Sequence, residues 1–267
     1  DLALKIMIKL SNFLRFFGID IRRKLFKSIH NAFGGNLIKI VTGGAPIRAE
    51  LGSFFDSIGI NLINGYGITE CSPLVSANRD YFNDCATVGV PLSCVEIRFE
   101  NVTPEGDGEI CVKGDTVMLG YYKNEEATKE VIDKDGWLHT GDLALMDAEG
   151  NITIKGRSKN MLLGPSGQNI YPEEIEDKLN NMPFVSESII IQQADSKLAA
   201  LVYPDFDDAF AHGLDNDAIA QAMEENRINL NTELPAYSQI ARVKIYPEEF
   251  EKTPKKSIKR FLYQEVK

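Results

Sequence analysis

The sequence contains few of the residues that build metal sites. Its 267 residues include four cysteines and three histidines, and no two cysteines stand in a Cys-x-x-Cys pair. This scarcity and spacing argue against a structural zinc site. The same cysteine usage is typical of a reducing compartment, so we expect a cytoplasmic location.

An excess of basic residues is also missing, because the formal net charge is -10. Nucleic acid is therefore excluded as the expected partner of the whole chain. No uninterrupted apolar run is long enough to span a bilayer, and no secretory signal is recognisable. The chain starts at Asp1 directly in an amphipathic pattern, which we interpret as the continuation of a longer chain.

Residues 2–33 have a helical pattern that Gly18 interrupts. The pattern predicts a face of Ile6, Leu10, Phe13 and Phe17 that packs on a core. The alternative is a basic helix with aromatic residues lying on a membrane surface, and peripheral membrane contact stays open for this reason.

The next stretch predicts a β-α-β unit of a parallel sheet. An apolar run at residues 37–41 leads into the turn Thr42-Gly43-Gly44-Ala45-Pro46, a helix follows, and residues 60–63 form the next strand. Ligands in such sheets bind beyond the carboxyl ends of the strands. The turn at Gly43 and the segment 64–70 both fall at that edge.

Short strand candidates separated by turns rich in Gly and Asp follow from residue 87 to 154, and they predict a small β-barrel or sandwich. The candidates are residues 95–99, 109–112, 137–139, 144–146 and 152–154. Gly156-Arg157-Ser158-Lys159 then marks the joint to a compact α+β unit of helices and strands. The predicted domains are 1–155, made of an α/β piece (1–85) and a β-barrel-like piece (86–155), and a mobile α+β lid (156–267).

Several side chains in these turns suit a nucleotide. In Gly65-Tyr66-Gly67-Ile68-Thr69-Glu70, the glycines let the backbone approach a ligand, Tyr66 offers a flat ring, and Glu70 offers a carboxylate for a divalent metal. The Thr69 hydroxyl suits a phosphate. The alternative is a plain glycine turn with a half-exposed tyrosine.

Asp142 and Arg157 are further candidates. A carboxylate at a strand end accepts hydrogen bonds from a ribose diol, and Arg157 can pair with phosphate or ribose oxygens. The alternatives are a turn aspartate and a surface ion pair of little energetic weight. The sequence has neither a Gly-x-x-x-x-Gly-Lys-Ser/Thr loop nor another Ser/Gly/Thr-rich loop, so a cradle for the phosphates is missing from this stretch of chain.

Together and in this order, the motifs resemble the adenylate-forming (AMP-binding) enzymes: acyl-CoA synthetases, luciferases and peptide-synthetase adenylation domains. The chain looks most like the C-terminal portion of a bacterial long-chain fatty acyl-CoA synthetase. The resemblance is carried by six stretches, namely residues 42–46, 65–70, 108–128, 137–143, 156–176 and 252–260.

The resemblance implies a role for each motif. The adenine and acyl pockets are lined by Gly43, Gly44, Ala45 and Pro46, beside Gly65 and Gly67. In the second motif Tyr66 stacks on adenine, Thr69 contacts phosphate and Glu70 binds Mg²⁺. Asp142 holds the ribose, Arg157 binds the nucleotide and Lys159 is the hinge, while coenzyme A is approached by Gly164, Ser166 and Gly167. The implied reaction uses ATP, a fatty acid and coenzyme A, and proceeds through acyl-AMP. The isolated chain is expected to turn over nothing.

The tail departs from the family pattern. Its register gives Ser257-Ile258-Lys259-Arg260, so Ser257 stands where the family has its catalytic lysine. Either Lys256 reaches the site by a local shift, or the enzyme adenylates poorly. Three functions remain open: a fatty acyl-CoA ligase, an adenylation enzyme that loads an amino acid or aryl acid onto a carrier protein, and a non-catalytic module.

Overall fold

A computed structural model describes residues 2–45, 47, 49–80, 84–253 and 257–263. The chain divides into two compact units, Asp1–Ile154 and Lys155–Lys267. Each unit combines helices with sheets, so the predicted mixture of α/β and α+β architecture is confirmed. The hinge motion stays a prediction. Two predicted site residues, Pro46 and Lys256, lie outside the described residues.

Three helices open the first unit: α1 (Leu2–Phe16), α2 (Arg22–Leu25) and α3 (Lys27–Ala32). The break at Gly18 occurs as predicted, with φ at +78°, but the predicted packed face of α1 is wrong. Phe13 is 62% exposed, whereas Ser11 is buried. Apolar residues at helical spacing form two neighbouring stripes on α1, and the pattern does not show which of them packs on the protein. The ion pair between Arg15 and Asp56, 2.6 Å long, lies beside the stripe that does. That stripe is Leu4, Met7, Ile8 and Ser11, with the exposed Arg15 at its end.

The first sheet contains the predicted β-α-β unit. It consists of β1 (Lys39–Gly43), β2 (Asn61–Gly67), β3 (Leu74–Ala77) and β4 (Val90–Pro91), with α4 (Ala49–Ile58) between β1 and β2. Strands β1 and β2 are parallel, and their register pairs Gly43 with Gly65. The two glycine motifs therefore lie side by side toward the carboxyl ends of β1 and β2, as predicted, but Gly65 and Gly67 are part of β2 and not of a turn.

The second sheet has the order β5 (Val95–Glu100), β6 (Gly108–Gly114), β7 (Leu138–Met146) and β8 (Ile152–Arg157), and α5 (Glu125–Val131) precedes β7. Where the sequence predicts a small barrel or sandwich, the described residues form an open four-stranded sheet and no closed barrel. One of its faces is already covered, because Ile110 and Ile152 pack with Tyr66 and Val75 of the first sheet in a shared core. Burial is thus achieved between two sheets without closing one of them.

Strand β7 corrects a second expectation. Residues 138–139 and 144–146 are parts of one strand, and Asp142 lies inside it, not at a strand end. Gly141 adopts φ +71°, and the pairing register with β6 shifts between Glu109 and Cys111. A bulge at a glycine of this kind absorbs extra residues without ending the strand.

The second unit begins with the hairpin β9 (Leu162–Leu163) and β10 (Asn169–Ile170) and helix α6 (Pro172–Asn180). Its main sheet has the order β11 (Val185–Gln192), β12 (Leu198–Pro204), β13 (Ile240–Ile245); the first pair is antiparallel and the second parallel. Helices α7 (Phe206–Ala211) and α8 (Asn216–Glu233) lie between β12 and β13 in sequence. Side chains of α6 and α8 pack on one face of the sheet, and Phe250 and Tyr263 pack on the other.

No helix in the described part of the chain is both long enough and apolar enough to cross a membrane.

Candidate active site

Two of the predicted motifs touch through a buried hydrogen bond. The Tyr66 hydroxyl donates to Oδ2 of Asp142 over 2.5 Å, although the two residues are 76 positions apart. Both are buried, with 8% and 5% of their surfaces exposed. Tyr66 lies in the core between the two sheets, and stacking of its ring on a base, as predicted, requires that ring to become exposed.

The glycines of this region are explained first by backbone packing. A Cβ at Gly67 would lie 2.2 Å from the carbonyl oxygen of Pro73, and one at Gly43 would lie 2.8 Å from that of Gly65. Such distances are far inside van der Waals contact. The chain therefore needs glycine here to bring β1, β2 and the loop before β3 together, whether or not a ligand also approaches.

Glu70 is placed by a third motif. Its Oε1 accepts a hydrogen bond of 3.0 Å from the Tyr121 hydroxyl, and its backbone carbonyl accepts one of 2.8 Å from Met118. Burial and the contact with Glu70 raise the pKa of the Tyr121 phenol. Among the described residues, Oε2 of Glu70 makes no hydrogen bond or ion pair, so one carboxylate oxygen is available to a cation. The exposed Thr69 precedes it in a 3₁₀ turn.

Four predicted motifs of the first unit are thus gathered at one place. Gly43 pairs with Gly65, Tyr66 bonds to Asp142, and Glu70 bonds to Tyr121. Gly44 and Ala45 follow β1 and are exposed. The arrangement offers a carboxylate for a cation, a second carboxylate held by a phenol, and exposed residues after β1.

The second unit holds the remaining candidates. Arg157 and Lys159 are exposed at the end of β8 and in the 3₁₀ turn that follows. Gly156 adopts φ +153°, and a Cβ there would lie 2.7 Å from a carboxylate oxygen of Glu173, so α6 packs closely on the joint. In the β9–β10 hairpin, Gly164 is buried.

The tip of that hairpin is open to solvent. Ser166 and Gly167 are exposed there, and the amide of Gly167 donates to the carbonyl of Gly164 over 2.9 Å. Gly167 has φ +84° with nothing within 4 Å of a Cβ, so the turn needs glycine for its backbone conformation and leaves open space above it.

The tail is attached to the second unit by charged groups. Arg260 forms an ion pair with the buried Glu176 of α6, and the other oxygen of Glu176 accepts the backbone amide of Ile190 over 2.7 Å. Burial raises the pKa of Glu176, and Arg260 opposes that rise. Lys252 forms a second ion pair, 2.5 Å long, with Glu187. Lys252 and Arg260 thus both attach the described part of the tail to carboxylates of the second unit.

Profiles of a known family match most of the sequence. The profile of the AMP-binding enzyme matches residues 9–122, and that of the AMP-binding enzyme C-terminal domain matches residues 160–265. The two fall one on each of the compact units. The chain belongs to the AMP-binding enzyme family.

Similar members of the AMP-binding family include acyl-CoA ligases. The long-chain-fatty-acid–CoA ligase FadD15 of Mycobacterium bovis is 37% identical over 67% of this chain and 29% of its own length. A long-chain-fatty-acid–CoA ligase of Escherichia coli is 43% identical over 61% of this chain and 28% of its own. ATP-bound MatB of Rhodopseudomonas palustris superposes with a TM-score of 0.64 at 26% identity, over 84% of this chain and 44% of that one. The chain spans under a third of the length of FadD15 and of the Escherichia coli ligase.

Sequence reasoning missed three residues of the AMP-binding fold that support the site. Thr128 accepts the amide of Tyr121 through Oγ1 over 2.9 Å and so helps to aim Tyr121 at Glu70. Glu173 and Glu176 contact the joint and the tail. For Glu176 the sequence did offer a signal, because this carboxylate lies on the apolar side of the short helix α6. A buried charge requires a partner, so an ion pair could have been predicted there.

Proposed function

We propose that this chain is the C-terminal portion of an ATP-dependent ligase that activates a fatty acid, of the long-chain class, and transfers it to coenzyme A. The contact between Tyr66 and Asp142 carries the proposal, since it joins the two nucleotide motifs across 76 positions of sequence. The names of the similar FadD15 and Escherichia coli ligases support the substrate class, and the ATP-bound relative supports the nucleotide.

The proposed reaction has two steps. A fatty acid carboxylate oxygen attacks the α-phosphorus of ATP, which forms acyl-AMP and releases pyrophosphate. The thiolate of coenzyme A then attacks the acyl carbon, which forms the thioester and releases AMP. Positioning and electrostatic stabilisation are what the protein contributes to both steps.

Each residue has a proposed role in these steps. Glu70 would hold Mg²⁺ through its available oxygen, as a hard cation prefers carboxylate ligands. A ribose hydroxyl would replace the Tyr66 hydroxyl as the donor to Asp142, which frees the Tyr66 ring to stack on adenine. Arg157 would bind the nucleotide, Lys159 would serve as the hinge, and Lys256 would stabilise the developing charge.

The coenzyme A arm would pass over the β9–β10 hairpin. Gly164, Ser166 and Gly167 form its turn, and the open space above Gly167 suits a ligand that runs close to the backbone.

The decisive test is the acceptor of the acyl group in the enzyme that contains this chain. With ATP, Mg²⁺ and palmitate, we expect thioester formation with coenzyme A and none with a phosphopantetheinyl carrier protein. Product on the carrier alone would favour an adenylation enzyme instead. For residues 1–267 by themselves we expect weak ATP binding without turnover, and acyl-CoA formation by this chain would contradict that expectation.

A further inference from the structure

A cluster of metal-ligating side chains lies on the second sheet, on the side of β7 that faces away from Asp142. Along β7 the buried Thr140 and Asp142 alternate with the less buried His139 and Gly141. Cys111 of β6 is paired with His139 in the strand register. The ligand atoms of Glu100, Cys111 and His139 all lie within 4.8 Å of one another.

The distances suit a tetrahedral zinc ion. Cys111 Sγ lies 3.5 Å from Nδ1 of His139, and Oε2 of Glu100 lies 3.7 Å from the same nitrogen. Zinc bonds of about 2.3 Å to sulfur and about 2.0–2.1 Å to nitrogen, at a tetrahedral angle, separate the two donors by about 3.5 Å. Two ligand pairs therefore already stand at nearly the required spacing.

Neighbouring groups hold these donors in place. Glu109 directs Oε2 to His139 Nδ1 at 3.5 Å, while its Oε1 accepts the amide of Gly141 over 2.9 Å. Glu100 is held through Oε1 by Arg98 over 2.5 Å, which leaves Oε2 toward the histidine. Asp133 Oδ2 lies near the second ring nitrogen, 3.9 Å from Nε2 of His139, and is itself held by Arg98 over 2.8 Å.

The charge of the cluster also favours a cation. Arg98 brings a positive charge, but the carboxylates of Glu100, Glu109 and Asp133 outnumber it. Sulfur, nitrogen and oxygen donors together select zinc over hard cations such as magnesium. Cys111 is fully buried, while the side chains of Glu100 and His139 retain 35% and 27% exposure, so an ion can enter from their side.

We propose that Cys111, His139 and Glu100 bind a structural zinc ion, that Glu109, 3.5 Å from His139 Nδ1, moves in to complete the tetrahedral shell, and that this ion braces β5, β6 and β7. The site is separate from the proposed nucleotide site, because its residues lie on the other side of β7 from Asp142. Its failure would leave the proposed ligase function untouched.

Cobalt provides the test, because a cobalt–thiolate bond gives an intense near-ultraviolet charge-transfer band. Co²⁺ is titrated into the metal-free 267-residue chain, and Zn²⁺ is then added as the competitor. We expect a band that saturates at one equivalent and disappears when zinc is added. Cys111→Ser should abolish the band and weaken zinc affinity beyond the roughly 10–100-fold typical of losing an outer partner.

Cys94→Ser is the matched control, because Cys94 is exposed and should leave the band unchanged. Circular dichroism reports whether each variant is folded. If Cys111→Ser fails to fold, Glu100→Gln keeps the thiol and should still weaken zinc binding at least about tenfold. The proposal would be overturned if the unmodified chain gave no band or if Cys94→Ser lost it. It would also be overturned if folded Cys111→Ser kept the band or if Glu100→Gln bound zinc with unchanged affinity.

Discussion

The phenol of Tyr66 and the carboxylate of Asp142 form a buried hydrogen bond 2.5 Å long. The bond connects the two sheets of the first unit, across the core that these sheets share. A hydrogen bond to a buried charged group is among the stronger polar contacts of a folded protein. The contact therefore holds the candidate site together before any ligand enters.

Removing the phenol should cost stability. We expect Tyr66→Phe to lower the free energy of unfolding by about 1–3 kcal/mol, because Asp142 loses a buried donor. Urea unfolding of the 267-residue chain measures the change. Tyr122→Phe is the control, since Tyr122 is 87% exposed and should shift the value by less than about 0.5 kcal/mol. Equal effects of the two substitutions would show that the contact contributes nothing.

The ion pair between Arg260 and Glu176 should be sensitive to pH once it is broken. Arg260→Met leaves Glu176 buried without its partner, and we expect a loss of about 3–5 kcal/mol near neutral pH. Burial already raises the pKa of Glu176, and the substitution removes the opposing charge. A carboxyl whose folded pKa exceeds its unfolded value contributes stability at low pH that is lost as pH rises through the folded pKa.

The deficit of Arg260→Met relative to the unmodified chain should therefore shrink from pH 8 to pH 5. Denaturant unfolding at both values measures it. Arg242→Met replaces an exposed arginine of the same unit and should show little deficit at either pH. A deficit of Arg260→Met that grows as the solution is acidified would contradict the assigned titration of Glu176.

Gly67 should be required by packing and not only by a ligand. Gly67→Ala drives a Cβ against the backbone of Pro73, and we expect a loss of about 1–3 kcal/mol without any nucleotide present. Gly164→Ala is the control, because its nearest neighbour is the end of the flexible Gln168 side chain at 3.1 Å. Thermal unfolding compares the two; if Gly67→Ala is the milder substitution, the packing argument fails.

The four thiols should differ in reactivity. Cys94 is exposed, while Cys71, Cys85 and Cys111 are buried. Burial raises the pKa of Cys71 and of Cys111 to about 11, so little thiolate forms at pH 8. With Ellman's reagent at pH 8 we expect one fast thiol in the metal-free chain and the other three after unfolding. Cys94→Ser should remove the fast phase. If the fast phase survives in this variant, the fast thiol is not Cys94.

Lys256 should matter for adenylation in the enzyme that contains this chain. Lys256→Ala is expected to slow acyl-AMP formation by at least about tenfold, short of the full 10²–10³-fold typical of losing such a group. ATP–pyrophosphate exchange measures this step apart from transfer to coenzyme A. Lys259→Ala is the control, because Lys259 is already paired with Glu251 over 3.1 Å. Unchanged exchange in Lys256→Ala would reject the assignment.

The order of motifs was sufficient to predict the family and the general architecture. Local patterns predicted the β-α-β unit, the break at Gly18 and helix α6, because they depend on glycine conformations and periodic apolar residues that act over short distances. The packed side of α1 could not be chosen, since two stripes on it are apolar. The predicted closed barrel was wrong because the apolar face of the second sheet packs on the first sheet. The sequence does not show which sheets pack on each other.

The amino-acid sequence by itself determined that this protein carries the motifs of the AMP-binding enzyme family, since each motif is a short run whose chemistry lies in its own residues. Only the tertiary structure decided which side chains meet. It joined Tyr66 to Asp142 and Glu70 to Tyr121. It also placed Cys111 beside His139, a pair that the spacing of the cysteines does not predict. Strand register and sheet packing bring together residues far apart in the chain, and local sequence does not encode that pairing.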